Sequence, residues 1–366
     1  MIENIALGMK RDTALAITGI TRHQYYYKPS IGKPGAKPSE QIEHYQNGKK
    51  NMVDNNQAVK FMQDLQENDD LRCGHRRMTD QLQLMGYLIN HKKVYRLMKS
   101  NNLLMPKHDK PPKNYVKYRV IAPTRPLSHL EMDIKFVWVE EHRKHALILS
   151  IMDIFTRRIL NWHVGMSITQ HTVKDVFSQV ITDHLQENDM LSKGVDIEIR
   201  NDNDKRFSAK MVQQFFADNF LNQVFTHPYT PEENGHIESF HKTLSQALEN
   251  QHFDTLEQLE TRLAIFYNNY NNHRTHGSIC GLTPFLFNQQ WCIGNIERLV
   301  VDQKKKKIKF KLLIPKYQLS GNGNMREASC SNYSTLNGEK NLSYIKANGA
   351  IAIQPSVQRS PSVASC

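Results

Sequence analysis

Three acidic residues, Asp133, Asp202 and Glu238, stand in a pattern that could bind metal ions and cut a phosphodiester bond. Asp133 lies within a predicted strand and Asp202 directly follows another, and ligand sites in α/β sheets gather at strand ends. Glu238 lies 36 positions after Asp202, in a predicted helix. Two hard cations that promote phosphodiester transfer need such oxygen ligands. A lone Asp after a strand is more often a turn residue or helix cap, but the three together outweigh that interpretation.

Other kinds of active or metal site find little support in the sequence. The five cysteines are scattered without CxxC spacing, which indicates neither a disulfide framework nor a cysteine zinc site and predicts a reducing, cytoplasmic setting. The 17 histidines show no zinc-site arrangement. No glycine-rich phosphate loop or Ser/His/Asp order favours an ATPase or an acyl hydrolase. No stretch approaches the ~20 apolar residues that a membrane span needs.

The elements that must position the triad form a predicted α/β domain, with a mixed sheet flanked by helices. Three strand-like runs come first, and helices then alternate with two further strands. The predicted strands span residues 130–139, 146–154, 159–164, 196–200 and 223–226, and the predicted helices span residues 169–184, 208–219, 232–251 and 255–270. This order places Asp133 on the first strand and Asp202 after the fourth.

Upstream of that domain, residues 57–105 predict a helix-turn-helix-like module. A first helix is followed by a second, for which Thr79 is the expected cap and Gly86 the stop, and Asn90 then opens a third. The third helix carries basic side chains suited to phosphate and groove contacts. These basic side chains include Lys92, Lys93 and Arg96. A helical hairpin with a solvated basic face fits the pattern equally well.

The 366 residues suggest two or three domains, and net charge divides the chain into three regions. It is +11 over residues 1–126, −7 over 127–289 and +8 over 290–366. Basic flanks indicate a polyanion partner, and an acidic centre indicates carboxylates that a divalent metal neutralises.

The predicted segments are a short helical segment at 1–29, a linker at 30–56, the helical module at 57–105, a basic Pro-rich linker at 106–126, the α/β domain at 127–289 and a basic, partly disordered tail at 290–366.

Around the triad, the sequence resembles bacterial insertion-sequence transposases of the two-reading-frame class, often called the IS-three family. The catalytic subunit of that class carries an integrase-like core with a DDE triad. Several separate blocks match in the family's order over residues 57–289, which makes chance resemblance improbable. These blocks are residues 74–77 and 94–98, Asp133-Ile134, residues 200–203, residues 231–234 leading to Glu238, residues 267–271, and then Arg274, His276 and Thr283-Pro284.

The resemblance implies a ribonuclease-H-like integrase core behind a small all-α module. It also implies Mg²⁺-dependent DNA cleavage and strand transfer at element ends, with two Mg²⁺ or Mn²⁺ ions held by Asp133, Asp202 and Glu238. The implied partners are double-stranded DNA, further copies of the chain on that DNA, and a helix-turn-helix protein from an upstream frame. The candidate DNA contacts are Arg76, Arg77, Lys92, Lys93, Arg96, Lys242 and Arg274.

Two positions after Asp202 depart from the family pattern. Asp204 replaces the usual Gly, and Arg206 replaces a frequent Gln. Asp204 adds a fourth carboxylate beside the site, where it can compete for metal or repel DNA phosphate. An alternative function is therefore a catalytically impaired, transposase-derived protein that binds specific DNA sequences. A weaker alternative is a structure-selective nuclease on the same fold.

Three basic residues after the triad also have ordinary structural interpretations. Lys242 can contact substrate phosphate, or it can form a Glu–Lys pair with Glu238 one helical turn away. His241 is expected on an exposed helix face. Arg274 can contact DNA near the cut or cap the preceding helix end, where cations are favoured, and the resemblance favours the DNA contact.

Overall fold

The computed structural model describes residues 5–27, 39–106, 121–191, 196–227, 231–302 and 307–321. The chain folds as two compact units, residues 1–40 and 41–366. Most of the predicted Pro-rich linker (107–120), three residues of the lysine run (304–306) and everything after residue 321 lie outside the described residues. Among the described helices, none is both long and apolar enough to cross a membrane.

The first unit contains two short helices, α1 (Arg11–Thr18) and α2 (Arg22–Tyr26). Gly19 ends α1 in the left-handed conformation, at a φ of 68°, which a glycine adopts without steric cost. Thr21 caps α2 and forms a capping box with Gln24. Both helices lie within the helical segment predicted at residues 1–29.

The second unit begins with a hairpin of β1 (Gln41–Gln46) and β2 (Lys49–Asp54), where the sequence predicted a linker. Asn47 and Gly48 join the strands with φ angles of 51° and 77°. Such left-handed pairs form the tight turns of two-residue hairpins, and Asn-Gly is their strongest sequence signal. The polar composition of the stretch masked that signal, and the linker prediction is wrong over residues 41–54.

Three helices and a short strand complete the helical module. They are α3 (Asn55–Glu67), α4 (His75–Leu84), β3 (Tyr87–Leu88) and α5 (His91–Ser100). Asn90 caps α5 as predicted, because its side chain accepts the Lys93 N–H at 2.9 Å. Thr79 is not the cap of α4: it lies inside that helix, and its hydroxyl donates to the His75 carbonyl at 2.7 Å. A threonine tolerates the helix interior through this bond to the preceding turn.

The described residues of the α/β domain form five strands and four α-helices. They are β4 (His129–Val139), β5 (Lys144–Asp153), β6 (Ile159–Gly165), α6 (Gln170–Val180), β7 (Ile197–Asn201), α7 (Lys210–Asp218), β8 (Leu221–Phe225), α8 (Gly235–Ala247) and α9 (Leu256–Asn272). The sheet order is β6-β5-β4-β7-β8. The first three strands along the chain pair antiparallel, whereas β7 lies parallel to β4 and β8 parallel to β7. This mixed sheet flanked by helices is the predicted ribonuclease-H-like fold.

The two faces of the sheet pack against different helices. On one face, Met132 and Ile151 join the core that contains Phe177 of α6. On the other face, Ile148 joins the core that contains Phe240 of α8. Because side chains alternate along a strand, each position of β4 is committed to one of these two layers.

Downstream of α9, the chain adds α10 (Pro284–Cys292) and a hairpin of β9 (Ile296–Asp302) and β10 (Lys307–Leu312). The ring of Phe310 lies 5.0 Å from that of Phe155, between centroids, and joins a small core beside the sheet. Alternate residues of β10 are half-buried, a period of two that the intervening lysines obscure in the sequence. The tail predicted from residue 290 therefore begins with ordered elements.

His184 makes the stability of the domain depend on pH. It is 3% exposed in the π-helical segment Ile181–Gln186 that follows α6, where its Nε2 donates to the Leu160 carbonyl oxygen at 3.1 Å. Burial lowers the pKa of His184 from 6.5 to about 4, and the nearby Arg158 charge adds to that effect. The unfolded chain therefore binds this proton near pH 6.5 and the folded chain only near pH 4. Its contribution to stability is complete above the higher value and is lost as pH falls toward the lower one.

Between pH 7 and pH 5, protonation of His184 should remove about 2 kcal/mol from the free energy of unfolding. Urea unfolding at both pH values measures this loss, and a His184→Gln variant should lose about 2 kcal/mol less than the wild type does. His142→Gln, at an exposed position, is the matched control and should lose as much as the wild type. Equal losses in His184→Gln and the wild type would contradict the prediction.

Candidate active site

Two members of the predicted triad, Asp133 and Glu238, line one open groove of about 700 Å³. Asp133 lies on β4, and its neighbours Met132 and Ile134 pack in the core of the opposite sheet face. Strand alternation therefore directs Asp133 toward α8. Glu238 lies in the first turn of α8 and is exposed. The groove thus brings together a strand carboxylate and a helix carboxylate.

Asp202 follows β7, and the pairing of β7 with β4 sets it beside Asp133. The parallel register pairs Glu131 with Arg200, and both aspartates come two residues later. The pKa of Asp202 is raised above its usual value, chiefly by burial and further by the negative charges of Asp133 and Asp204. The Asp204 backbone N–H, which donates to Asp202 Oδ1 at 3.2 Å, acts in the opposite direction. The two aspartates are therefore close enough to interact electrostatically.

The donor set of these carboxylates fits Mg²⁺ or Mn²⁺, which prefer hard oxygen ligands. The negative charge of Asp133 contributes, after burial, to the raised pKa of Asp202, and a divalent cation between the two carboxylates would relieve this repulsion. In the part of the chain that the structure describes, no group of three metal-ligating side chains stands close enough to enclose an ion. The triad therefore fits the cations by residue type, without converging on one point.

His241 lies against Asp133, although the sequence predicted an exposed position for it. It is 7% exposed, and its Nδ1 lies 3.3 Å from Asp133 Oδ2. The buried face of α8 follows a helical period through Ile237, Phe240, His241 and Leu244. That spacing was available in the sequence. The exposed interpretation of His241 is wrong, and its ring restricts the Asp133 carboxylate.

The fourth carboxylate, Asp204, is held by Arg206 in the same loop. The Arg206 guanidinium donates from Nε at 2.7 Å and from Nη2 at 2.5 Å, and the Arg206 backbone N–H donates at 2.8 Å. These contacts hold the pKa of Asp204 below its usual value. The two departures from the family pattern therefore neutralise each other as an ion pair.

The candidate DNA contacts of the helical module differ in their surroundings. Those that are exposed are Arg76, Lys92 and Arg96, and Lys242 in the groove of Asp133 and Glu238 is exposed as well. Arg77 is half-buried. The Lys93 ammonium donates to the Gln41 carbonyl at 2.6 Å, and burial lowers its pKa. The exposed residues remain the better candidates for DNA phosphate.

Arg274 requires a correction. It is 7% exposed, and its guanidinium donates to the backbone carbonyl of Asp70, in the loop after α3. Burial lowers the pKa of Arg274 to about 10. Arg262 and Asn269 of α9 bind the Asp70 carboxylate, at 2.5 and 2.8 Å. The structure therefore gives Arg274 an internal contact between the helical module and the α/β domain, in place of the predicted DNA contact.

A further residue beside the triad, Glu131, was not identified from the sequence. It is fully buried in β4, two residues before Asp133. One carboxylate oxygen accepts the Ile237 N–H at 2.7 Å, and the other lies 3.0 Å from His236 Nδ1. Burial raises the pKa of Glu131 to about 7, against the opposing effect of the Ile237 hydrogen bond. In the sequence, Glu131 is one of several polar residues that alternate with apolar ones along β4, so no local signal set it apart.

Comparison with known proteins finds two kinds of domain in the chain. The integrase core domain matches residues 123–231 and again residues 220–284. An HTH-like domain matches residues 54–111. Together, the three matches cover the helical module and the α/β domain in the order in which the structure places them.

Over 215 residues the chain is 26% identical to the uncharacterized 39.2 kDa protein of insertion element IS476 from Xanthomonas euvesicatoria, which covers 58% of this chain and 59% of that protein. It is 24% identical over 232 residues to InsK of insertion sequence element IS150 from Escherichia coli (strain K12), whose name describes a transposase; that match covers 60% of this chain and 78% of InsK.

Among solved structures, the HTLV-2 integrase catalytic core domain in complex with magnesium is similar at 15% identity and a TM-score of 0.31, over 44% of this chain and 96% of that one. The chain spans only 59% of the length of the IS476 relative. The chain thus combines an HTH-like domain with an integrase core domain, and it is similar to proteins encoded by insertion elements.

Proposed function

We propose that this chain is a DNA transposase that cleaves DNA at insertion-sequence ends and transfers the freed 3′ end to target DNA. The observation that carries the proposal is the open groove lined by Asp133 and Glu238, with Asp202 beside Asp133. Three carboxylates, one on a strand, one directly after a strand and one on a helix, are the kind of ligand set that metal-dependent phosphodiester transfer requires. Binding of Mg²⁺ or Mn²⁺ by these residues is part of the proposal.

In this mechanism, Asp133, Asp202 and Glu238 would hold two divalent cations. Bound there, the cations would make water or a 3′-hydroxyl nucleophilic and would stabilise the leaving oxygen of an in-line displacement. Lys242 is exposed one helical turn after Glu238 in the same groove, where its ammonium can bind a phosphate oxygen. His241 keeps the Asp133 carboxylate oriented. Because water or a 3′-hydroxyl would be the attacking group, the reaction needs no protein nucleophile.

The helical module supplies DNA affinity in this proposal, through the exposed cations Arg76, Lys92 and Arg96. Contacts of this kind release counterions, so end binding should weaken steeply as salt concentration rises. Recognition of terminal inverted repeats would use the same module. We further propose that several copies act together on paired ends in the bacterial cytoplasm, with an upstream-frame helix-turn-helix protein as a possible partner.

A strand-transfer assay tests this function. The purified chain is incubated with a pre-cut DNA end bearing the element's terminal repeat, a supercoiled target and Mg²⁺, and joined products are resolved on a gel. Metal-dependent joining is the expected result. Hydrolysis without joining would favour a structure-selective nuclease. Specific end binding without either reaction would favour the catalytically impaired DNA-binding protein.

The ion pair between Asp204 and Arg206 separates an active from an impaired transposase. Because Arg206 already neutralises Asp204, Asp204→Gly should change the rate of joining by less than about threefold. Arg206→Ala leaves that carboxylate unpaired beside Asp202 and should slow joining about tenfold. Initial rates of joining across a Mg²⁺ titration measure both effects. A large gain of activity in Asp204→Gly would show that Asp204 is a lesion.

A further inference from the structure

Glu131 is a carboxylate that the proposed reaction does not use, and it is buried completely. It has 0% exposure in β4, on the same strand face as Asp133 because the two residues are two positions apart. Burying a carboxylate is costly unless it is paired and hydrogen-bonded. The partners of Glu131 therefore indicate what this position accomplishes.

Those partners lie at the start of the helix that carries Glu238. One Glu131 oxygen accepts the Ile237 backbone N–H at 2.7 Å, and the other lies 3.0 Å from His236 Nδ1. The first turn of a helix has backbone N–H groups without intrahelical acceptors and a positive dipole end. Asn234, the N-cap residue of α8, makes no capping hydrogen bond with its side chain. Glu131 supplies the missing cap from a neighbouring strand.

A second contact ties the same helix start to the other catalytic strand. Arg200 is 1% exposed in β7, is paired in register with Glu131, and donates from Nη1 to the Glu233 carbonyl at 3.1 Å. Glu233 lies in the short turn before α8. The start of α8 is therefore held by the strand of Asp133 and by the strand that precedes Asp202.

From this arrangement we propose that Glu131 is a positioning residue, whose buried carboxylate fixes the first turn of α8 and so holds Glu238 opposite Asp133. The proposal rests on the assignment of those two residues as metal ligands under the proposed function. Displacement of a reacting group by about 1 Å can slow an enzyme about 100-fold. A helix start that is fixed from the sheet gives Glu238 the rigidity that metal binding across the groove requires.

Two variants test the proposal. In Glu131→Ala, which removes both contacts, the Mn²⁺ concentration at half-saturation should rise about tenfold and joining should fall about 100-fold. Glu131→Gln keeps the acceptor for Ile237 and should stay within about fivefold of the wild type in both measurements. Mn²⁺ binding is measured by electron paramagnetic resonance, without DNA and without turnover.

Amide hydrogen exchange supplies a readout of position. In Glu131→Ala the N–H groups of Ile237 and Glu238 should lose protection, and a protein that folds poorly would lose it throughout the sheet. Asp153→Asn is the matched control, because Asp153 is another buried carboxylate that binds backbone N–H groups, but of a loop distant in sequence from α8. It should leave Mn²⁺ affinity and α8 protection unchanged.

Unchanged Mn²⁺ affinity and unchanged α8 protection in folded Glu131→Ala would overturn the positioning role. Equal losses in Asp153→Asn would overturn it too, because they would show a general effect of removing a buried charge. If the wild type binds Mn²⁺ but fails to join DNA, the proposed transposase function fails. The Mn²⁺ and exchange measurements still decide the role of Glu131 in that case.

Discussion

Asp133→Asn, Asp202→Asn and Glu238→Gln should each reduce Mg²⁺-dependent joining of a pre-cut end by more than about 1,000-fold. Each change keeps the size of the side chain and removes one negative oxygen donor. The charge that develops on the transferred phosphate then loses electrostatic stabilisation that no neighbouring group replaces. Burial is the main cause of the raised pKa of Asp202, and Asp202→Asn removes the negative charge that is buried there beside Asp133. The loss of activity should therefore come with no loss of stability.

The same three variants should bind terminal-repeat DNA within about twofold of the wild type, since the exposed cations of the helical module are untouched. A gel-shift titration at fixed salt concentration measures this binding. Asp218→Asn, at an exposed carboxylate on α7, is the matched control and should join DNA at the wild-type rate. Joining by any triad variant at the rate of the control would remove that residue from the catalytic assignment.

The strands and helices of the α/β domain could be predicted closely from the sequence because apolar periodicity dominates there. The first strand was expected at residues 130–139 and spans His129–Val139, and the helix expected at 255–270 spans Leu256–Asn272. The helix expected at 232–251 is shorter, Gly235–Ala247, because a 3₁₀ turn at Pro231–Asn234 precedes it. The boundaries of a helix depend on such local turns, and the spacing of apolar residues does not reveal them.

The elements that the sequence missed are hairpins in charged or polar stretches. In β1–β2 the Asn47-Gly48 turn was a usable signal, but the surrounding composition resembled a linker. In β10 the apolar residues Ile308, Phe310 and Leu312 alternate with lysines. These apolar side chains are only half-buried. Tertiary packing against Phe155 decides that this segment is a strand, and no local pattern encodes such a partner.

In the candidate site too, residues that follow a local motif could be predicted from the sequence. Motif spacing predicted Asp133, Asp202 and Glu238, whose arrangement follows from strand register and helix position. The fates of Arg274 and Glu131 could not be predicted, because each depends on a partner far away in sequence. A cation after a helix has the same local pattern whether it meets DNA phosphate or a buried carbonyl. Only the fold makes Arg274 an internal residue.

Asp70 gives the largest expected effect on stability, because it joins the helical module to the α/β domain. Its carboxylate is 3% exposed and accepts from Arg262 at 2.5 Å and from Asn269 at 2.8 Å, while its backbone carbonyl accepts from Arg274. Asp70→Ala leaves the Arg262 guanidinium without its carboxylate in a partly buried setting. Breaking a buried ion pair in this way costs about 3–5 kcal/mol.

Urea unfolding followed by circular dichroism should therefore show a free energy of unfolding about 3–5 kcal/mol lower in Asp70→Ala than in the wild type. The adjacent Asp69 pairs with Arg72 at 2.9 Å in an exposed setting, so Asp69→Ala is the matched control and should lose less than about 1 kcal/mol. Similar losses in both variants would contradict the role of Asp70. If Asp70→Ala also gives two unfolding transitions where the wild type gives one, Asp70 couples the folding of the module to that of the catalytic domain. The helical module and the groove of Asp133 and Glu238 would then be held in one rigid body by a contact that lies outside the groove and apart from the exposed cations of the module.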